Sequence, residues 1–139
     1  MGICLTANKS TYSFDMSSGG FNNLRKNIAT TLNEDFGIVY GDSTLEITNP
    51  KLYEKKINEK LSCMPDDKDT EKILDFLFAS DIEGCCDYKT CKKLYNLIKD
   101  IDFGTKIFTY AAYSDGKDYE KFKLFLKECY SHRRTMYWR

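Results

Sequence analysis

The fold turns on the stretch Gly2-Ile3-Cys4-Leu5-Thr6-Ala7-Asn8-Lys9-Ser10-Thr11-Tyr12-Ser13-Phe14-Asp15-Met16. Ile3, Leu5, Tyr12, Phe14 and Met16 fall on alternating positions either side of a polar turn. Because a strand sends successive side chains to opposite faces, this spacing predicts a β-hairpin with one apolar face. The other terminus, Thr135-Met136-Tyr137-Trp138-Arg139, alternates in the same way. A strand that short needs a partner, and the unpaired edge of the hairpin offers one. The expectation is that the two termini meet in one sheet, with Met136 and Trp138 buried against Ile3 and Leu5.

Working inward, Ser17 and Ser18 are good N-caps, and Phe21, Leu24, Ile28 and Leu32 follow at helical spacing. A helix is predicted over Gly20 to Asn33, with that stripe inward and Arg25, Lys26 and Asn27 on its outer face. Gly37 to Pro50, punctuated by Gly41-Asp42 and Asn49-Pro50, reads as loop with a short extended piece at Thr44 to Ile47. Leu52, Tyr53, Ile57 and Leu61 predict a helix that Pro65-Asp66-Asp67 ends. Asp69 or Thr70 caps the next, which turns Ile73, Leu74, Leu77 and Phe78 inward and stops near Ser80, with Gly84 as its C-terminal cap. Asp87 caps a further helix carrying Cys91, Leu94, Tyr95 and Ile98.

Lys106 to Tyr113, rich in β-branched and aromatic residues, favours a strand over a helix. Ser114 or Asp115 caps a last helix with Tyr119, Phe122, Leu126, Cys129 and Tyr130 on one face. The expected class is α+β: a small antiparallel sheet from the N-terminal hairpin and C-terminal strand, packed with four or five helices. A single domain over residues 1–139 follows from the length, with the Pro65 region as the one candidate linker.

Composition narrows the function classes. With 42% hydrophobic and 30% charged residues and only 2 prolines, the chain is no disordered segment. Twenty-one basic residues balance 21 acidic ones, so no global field draws it to nucleic acid or to an anionic membrane. No apolar run reaches the ~20 residues of a spanning helix, and the N-terminus lacks the layout of a secretory signal, so a cytoplasmic location without membrane contact is expected.

Six cysteines, Cys4, Cys63, Cys85, Cys86, Cys91 and Cys129, then read as free thiols. No paired C-x2-C or H-x3-H spacing suggests a metal, and the single His132 sits in the polar run Ser131-His132-Arg133-Arg134. Aligning Asp81-Ile82-Glu83-Gly84 with a calcium loop puts Ala79 at the first place and Thr90 at the twelfth, where carboxylates are required. Met1-Gly2-Ile3-Cys4-Leu5-Thr6 spells a myristoylation pattern, but it overlaps the first strand. Neither a phosphate loop nor a nucleophile elbow is spelled anywhere. The reading is a protein without cofactor, metal or catalysis.

Charge distribution supplies the candidate sites. Residues 105–139 hold 8 basic and 4 acidic residues, leaving 13 and 17 for the first 104. Arg133, Arg134 and Arg139, interleaved with Tyr130, Tyr137 and Trp138, offer guanidinium forks for phosphate or carboxylate and rings for stacking. Asp66, Asp67 and Asp69, with Glu71 and Asp75, can mimic nucleic-acid phosphates toward a basic protein, or simply favour a helix start. Arg133, Arg134, Arg139, Tyr137, Asp66, Asp67 and Asp69 are the candidate partner-binding residues.

Three stretches together carry a resemblance. They are the opening Met1-Gly2-Ile3 hairpin leading to Ser18-Gly19-Gly20-Phe21 and Leu24-Arg25; the central Ser80-Asp81-x-x-Gly84 with Cys91-Lys92-Lys93-Leu94; and the closing Phe122, Leu126, Cys129 and Met136-x-Trp138. The pattern resembles small proteins encoded by phages and prophages of low-GC Gram-positive bacteria, departing from their usual Ser-Asp-Cys at Ile82. That resemblance carries over no catalytic residue. It implies an accessory phage protein in the host cytoplasm: a counter-defence inhibitor, anti-CRISPR-like, that binds and blocks a host defence protein. The alternatives are a sponge for a cyclic-nucleotide signal and a protein–protein adaptor of phage metabolism, and a homo-oligomer stays open.

Overall fold

The structure, a computed structural model, describes residues 2–8, 13–101 and 117–139. Strand β1 (Gly2–Ala7) pairs antiparallel with β2 (Ser13–Ser17), with Ile3 opposite Met16. From β2 the chain enters α1 (Ser18–Leu32), then α2 (Glu34–Tyr40), α3 (Ser43–Thr48), α4 (Pro50–Ser62) and α5 (Lys68–Phe78). A three-residue strand, β3 (Gly84–Cys86), leads to α6 (Tyr88–Ile98), and α7 (Lys117–Ser131) precedes β4 (Met136–Trp138). The result is the expected α+β class, with seven helices among the described residues rather than four or five.

The sheet order is β2-β1-β4-β3, antiparallel throughout. The C-terminal strand docks on the hairpin as its alternation requires, with Leu5 opposite Trp138 and Ala7 opposite Met136. It does not end the sheet, because β3 covers its far edge, with Gly84 opposite Trp138 and Cys86 opposite Met136. Ile3, Leu5, Ala7, Met16, Met136 and Trp138 are all buried, and they join Phe21, Leu24, Ile28, Phe76, Leu94, Phe122 and Phe125 in one apolar cluster. Ile57 and Ile73, from either side of Pro65, belong to it as well.

Six helices begin on the same local device. Ser17, Asn33, Asp42, Asn49, Asp67 and Asp87 each accept, through the side chain, the backbone N–H three residues on. This corrects the loop expected over Gly37 to Pro50, with its extended piece at Thr44 to Ile47. Gly41-Asp42 and Asn49-Pro50 are junctions between short helices, where Asp42 and Asn49 are N-caps and Pro50 takes the first helical position, needing no N–H there. The same polar residues favour turns and caps, so composition alone could not separate the two. The cap of α5 is Asp67, not Asp69 or Thr70.

Two further expectations are corrected. Gly84 is not the C-cap of α5, which ends at Phe78 with Ala79 as its cap. The glycine lies in β3 against the Trp138 ring, where a Cβ would come within 2.3 Å of the indole. Arg25 does not lie on the outer face of α1 but is 3% exposed. The strand expected over Lys106 to Tyr113, the cap at Ser114 or Asp115, and Tyr12 lie outside the described residues.

Candidate binding face and its supporting loop

The site is built from the C-terminal end of α5. A helix leaves its last carbonyls without intrahelical donors, and buried ones need partners from elsewhere. The Arg25 guanidinium donates through Nη2 to the carbonyls of Phe76 at 2.8 Å, Leu77 at 2.5 Å and Ala79 at 2.5 Å. Its carbon lies 5.4 Å from the Phe21 ring centre and 5.6 Å from that of Phe76. Tyr40 adds its hydroxyl to the Leu77 carbonyl at 2.6 Å, and burial pushes that phenol above its ordinary pKa, keeping it a donor. Trp138 Nε1 donates to the Ser80 carbonyl at 2.9 Å. A cation held by carbonyls at the negative end of a helix is favourably placed, and the two rings complete its enclosure.

These donors fix the chain that follows. Within it, the Ser80 hydroxyl accepts the N–H of Ile82 at 3.1 Å, which tightens the turn. Ile82, 71% exposed, stands at the tip of this held loop between the exposed carboxylates of Asp81 and Glu83. Phe78, just upstream, is also half exposed, although it packs on Phe36 and Tyr40.

The loop runs directly into the solvent face of the sheet. Register places Ser13, Thr6, Tyr137 and Cys85 in one row across all four strands. In the next row, Asp15 lies opposite Cys4, and Cys4 exchanges backbone hydrogen bonds of 2.8 and 3.2 Å with Arg139. Cys4, Thr6, Glu83, Cys85, Tyr137 and Arg139 line a shallow concavity of about 750 Å³. Its chemistry is mixed: a ring, a guanidinium, a carboxylate and two thiols. Contact with the Asp15 carboxylate, followed by burial, pushes the Cys4 thiol above its ordinary pKa, so it is held away from the nucleophilic thiolate.

Of the sequence-nominated residues, this face unites Tyr137 and Arg139. The others stand apart. Arg134 pairs with Glu128 at 3.0 Å, and Glu128 also meets His132 at 3.5 Å. Arg133 closes α7 with a left-handed backbone, φ 53°, while the Arg134 N–H reaches back to the Cys129 carbonyl at 2.8 Å. Trp138, 1% exposed, cannot stack a ligand, and Tyr130 is half-buried against Tyr95. Asp67 accepts the Thr70 N–H at 2.7 Å, and that hydrogen bond holds its carboxyl below the ordinary range. Asp69 is ion-paired with Lys93. Both border a concavity of about 700 Å³ shared with Lys89 and Lys92 of α6, so the negative charge meets its own lysines. Asp66 is exposed beside them.

The sequence reading did not find the roles of Arg25, Tyr40 and Ile82. Arg25 was detectable only as a basic residue one position from the apolar stripe. Among the described residues no group of three metal-ligating side chains is placed to hold an ion, and no helix is long and apolar enough to cross a membrane. All six cysteines are free thiols. Comparison with models of known protein families, with curated proteins and with solved structures finds no match.

Proposed function

We propose that the chain acts by binding a protein through the solvent face of its sheet and the adjoining 80–83 loop, and that it works by blocking that protein rather than by catalysis. The observation that carries this reading is the anchoring of the loop's upstream end. Donors from three separate elements tie down the Leu77, Ala79 and Ser80 carbonyls just upstream of Ile82, so an exposed apolar side chain is presented from an anchored stretch of backbone. Preorganisation reduces the ordering cost of association, and an exposed apolar residue flanked by Asp81 and Glu83, on a loop that runs into the face carrying Tyr137 and Arg139, offers the apolar and polar groups that protein interfaces combine. The resemblance to phage and prophage proteins supports a host defence protein as the target, which makes the chain an anti-CRISPR-like inhibitor in the host cytoplasm.

The sponge for a nucleotide signal keeps Tyr137 and Arg139 but loses Trp138 and Tyr130 as stacking surfaces. The adaptor reading uses the same face with a different partner. Affinity capture from a susceptible host tests all three, using the parent chain, Ile82→Asp, Tyr137→Ala with Arg139→Glu, and charge reversals at Arg133 and Arg134 or at Asp66, Asp67 and Asp69. The expected result is one large defence protein retained by the parent and by both reversals, and lost at least tenfold with Ile82→Asp and with the Tyr137/Arg139 pair. Retention by every variant would overturn the assignment of the face. Stabilisation by cyclic nucleotides, with no protein captured, would favour the sponge.

A further inference from the structure

On the inner side of β3, away from the binding face, Cys91 lies between two other thiols, one on either side. Cys86, opposite the buried Met136 and half-buried itself, places its sulfur 3.7 Å from that of Cys91, which is van der Waals contact. Cys91 is fully buried in α6, beside the equally buried Cys129 of α7. Cys86 is therefore the one member of the cluster that a solute can reach, and it is already in contact with a second sulfur.

We propose that Cys86 and Cys91 are a reversible disulfide pair that closes on reaction with a hydroperoxide. The Cys86 thiolate attacks one peroxide oxygen and the O–O bond breaks. Cys86 becomes the sulfenic acid, and hydrogen peroxide leaves its other oxygen as water. Cys91 then attacks the Cys86 sulfur, the S–O bond breaks, and the hydroxide released takes the Cys91 proton as a second water. Two thiols lose two electrons and two protons to one peroxide, and a dithiol reductant reverses the reaction.

The order of attack follows from the surroundings of each sulfur. The neighbouring Cys129 lowers the Cys91 pKa, but contact with Cys86 and burial outweigh it and push that thiol well above its ordinary range. Cys129 is raised by its contact with Cys91 and by burial. Both are shielded from a dissolved peroxide, which leaves first attack to the accessible Cys86 and second attack to Cys91 on the sulfur it already touches. Cys85 projects to the other face of β3, in the row of Tyr137, and cannot take Cys86's place without reversing the strand. The bond would tie the sheet's edge strand to α6. This pair is independent of whether the solvent face binds a protein.

The test treats the intact native chain with stoichiometric hydrogen peroxide, alkylates it in denaturant and weighs it. Expected are four alkylated thiols in place of six, a loss of two hydrogens, and full recovery of six after dithiothreitol. Tryptic cleavage after Lys89 separates the two cysteines, so the bond appears as a linked peptide pair. Cys86→Ser should abolish the link, whereas Cys85→Ser should retain it and remove any ambiguity from the adjacent sulfur. Six alkylated thiols after peroxide, or a link that survives Cys86→Ser, would overturn the assignment.

Discussion

The two ends of α5 solve the same problem in opposite ways. At the N-terminus Asp67 accepts the Thr70 N–H three residues away, with Asp69 and Glu71 adding favourable charge in the first turn. At the C-terminus the carbonyls of Phe76, Leu77, Ala79 and Ser80 are met by Arg25, Tyr40 and Trp138, between 37 and 58 residues distant in sequence. The first end is exposed and self-sufficient. The second depends on donors from three other elements, which anchors the chain up to the start of the 80–83 loop. Charge that looked functional at the exposed end is engaged in capping and ion pairing, while the arginine that matters most to the held loop lies inside.

The largest break in this comparison is Trp138→Ala. It removes a core ring packed on Phe21 and Phe76 together with the donor to Ser80, and should cost about 3–5 kcal/mol in chemical denaturation. A midpoint within error of the parent would contradict the burial. Arg25→Met comes next. It keeps the apolar volume but leaves the Phe76 and Ala79 carbonyls without that donor, for a loss of about 3 kcal/mol. Hydrogen exchange should quicken first at Ile82 and Glu83; unchanged exchange there would show that the loop does not depend on the buried cation.

The exposed ends should respond to pH rather than to packing. At Asp87 burial raises the carboxyl, but the hydrogen bonds from Thr90 and the nearby Lys72 outweigh it, so like Asp67 it titrates below the ordinary value of 3.8. A group whose pKa is lower folded than unfolded contributes its full stability above the unfolded value, and loses it as pH falls through the folded one. Asp67→Asn with Asp87→Asn keeps both caps and removes both titrations. Thermal melts between about pH 5 and pH 2 should then show a flatter acid limb, with neutral-pH stability nearly unchanged. A limb as steep as the parent's would show that other carboxylates govern acid unfolding.

The smallest effect concerns α7, whose C-terminus is closed locally by a residue other than glycine. Arg133 sits at φ 53°, a region that disfavours a Cβ, so Arg133→Gly should raise stability by about 0.5–1 kcal/mol net of its greater unfolded-chain entropy. A loss of stability would mean that the arginine side chain contributes contacts that outweigh its strain.

The legibility of the site followed the same division. Tyr137 and Arg139 were readable because alternation in a strand puts residues two apart on one face. Arg133, Arg134 and Trp138, equally prominent in the sequence, were scattered by the turn after α7 and by the pleat. Ile82 was visible as an apolar residue in a polar loop, but nothing local says that the loop is fixed. Gly84 was read as a helix cap because glycine commonly serves there; only the position of Trp138 across the sheet shows that it is needed for close approach.

What the sequence determined by itself was whatever depends on near neighbours: the hairpin, the pairing of the C-terminal strand with it, the inward stripes of the longer helices, and the caps at Ser17 and Asp87. Those features follow from periodicity and from side-chain reach over three or four residues. Tertiary structure alone decided the burial of Arg25, the arrival of β3 beside β4 at the binding face and the approach of Cys91 to Cys129, whereas the helices inside the apparent loop of Gly37 to Pro50 rest on the local caps Asn33, Asp42 and Asn49. The first three depend on elements distant in the chain, and the free energy of burying a charge is set by what packs over it.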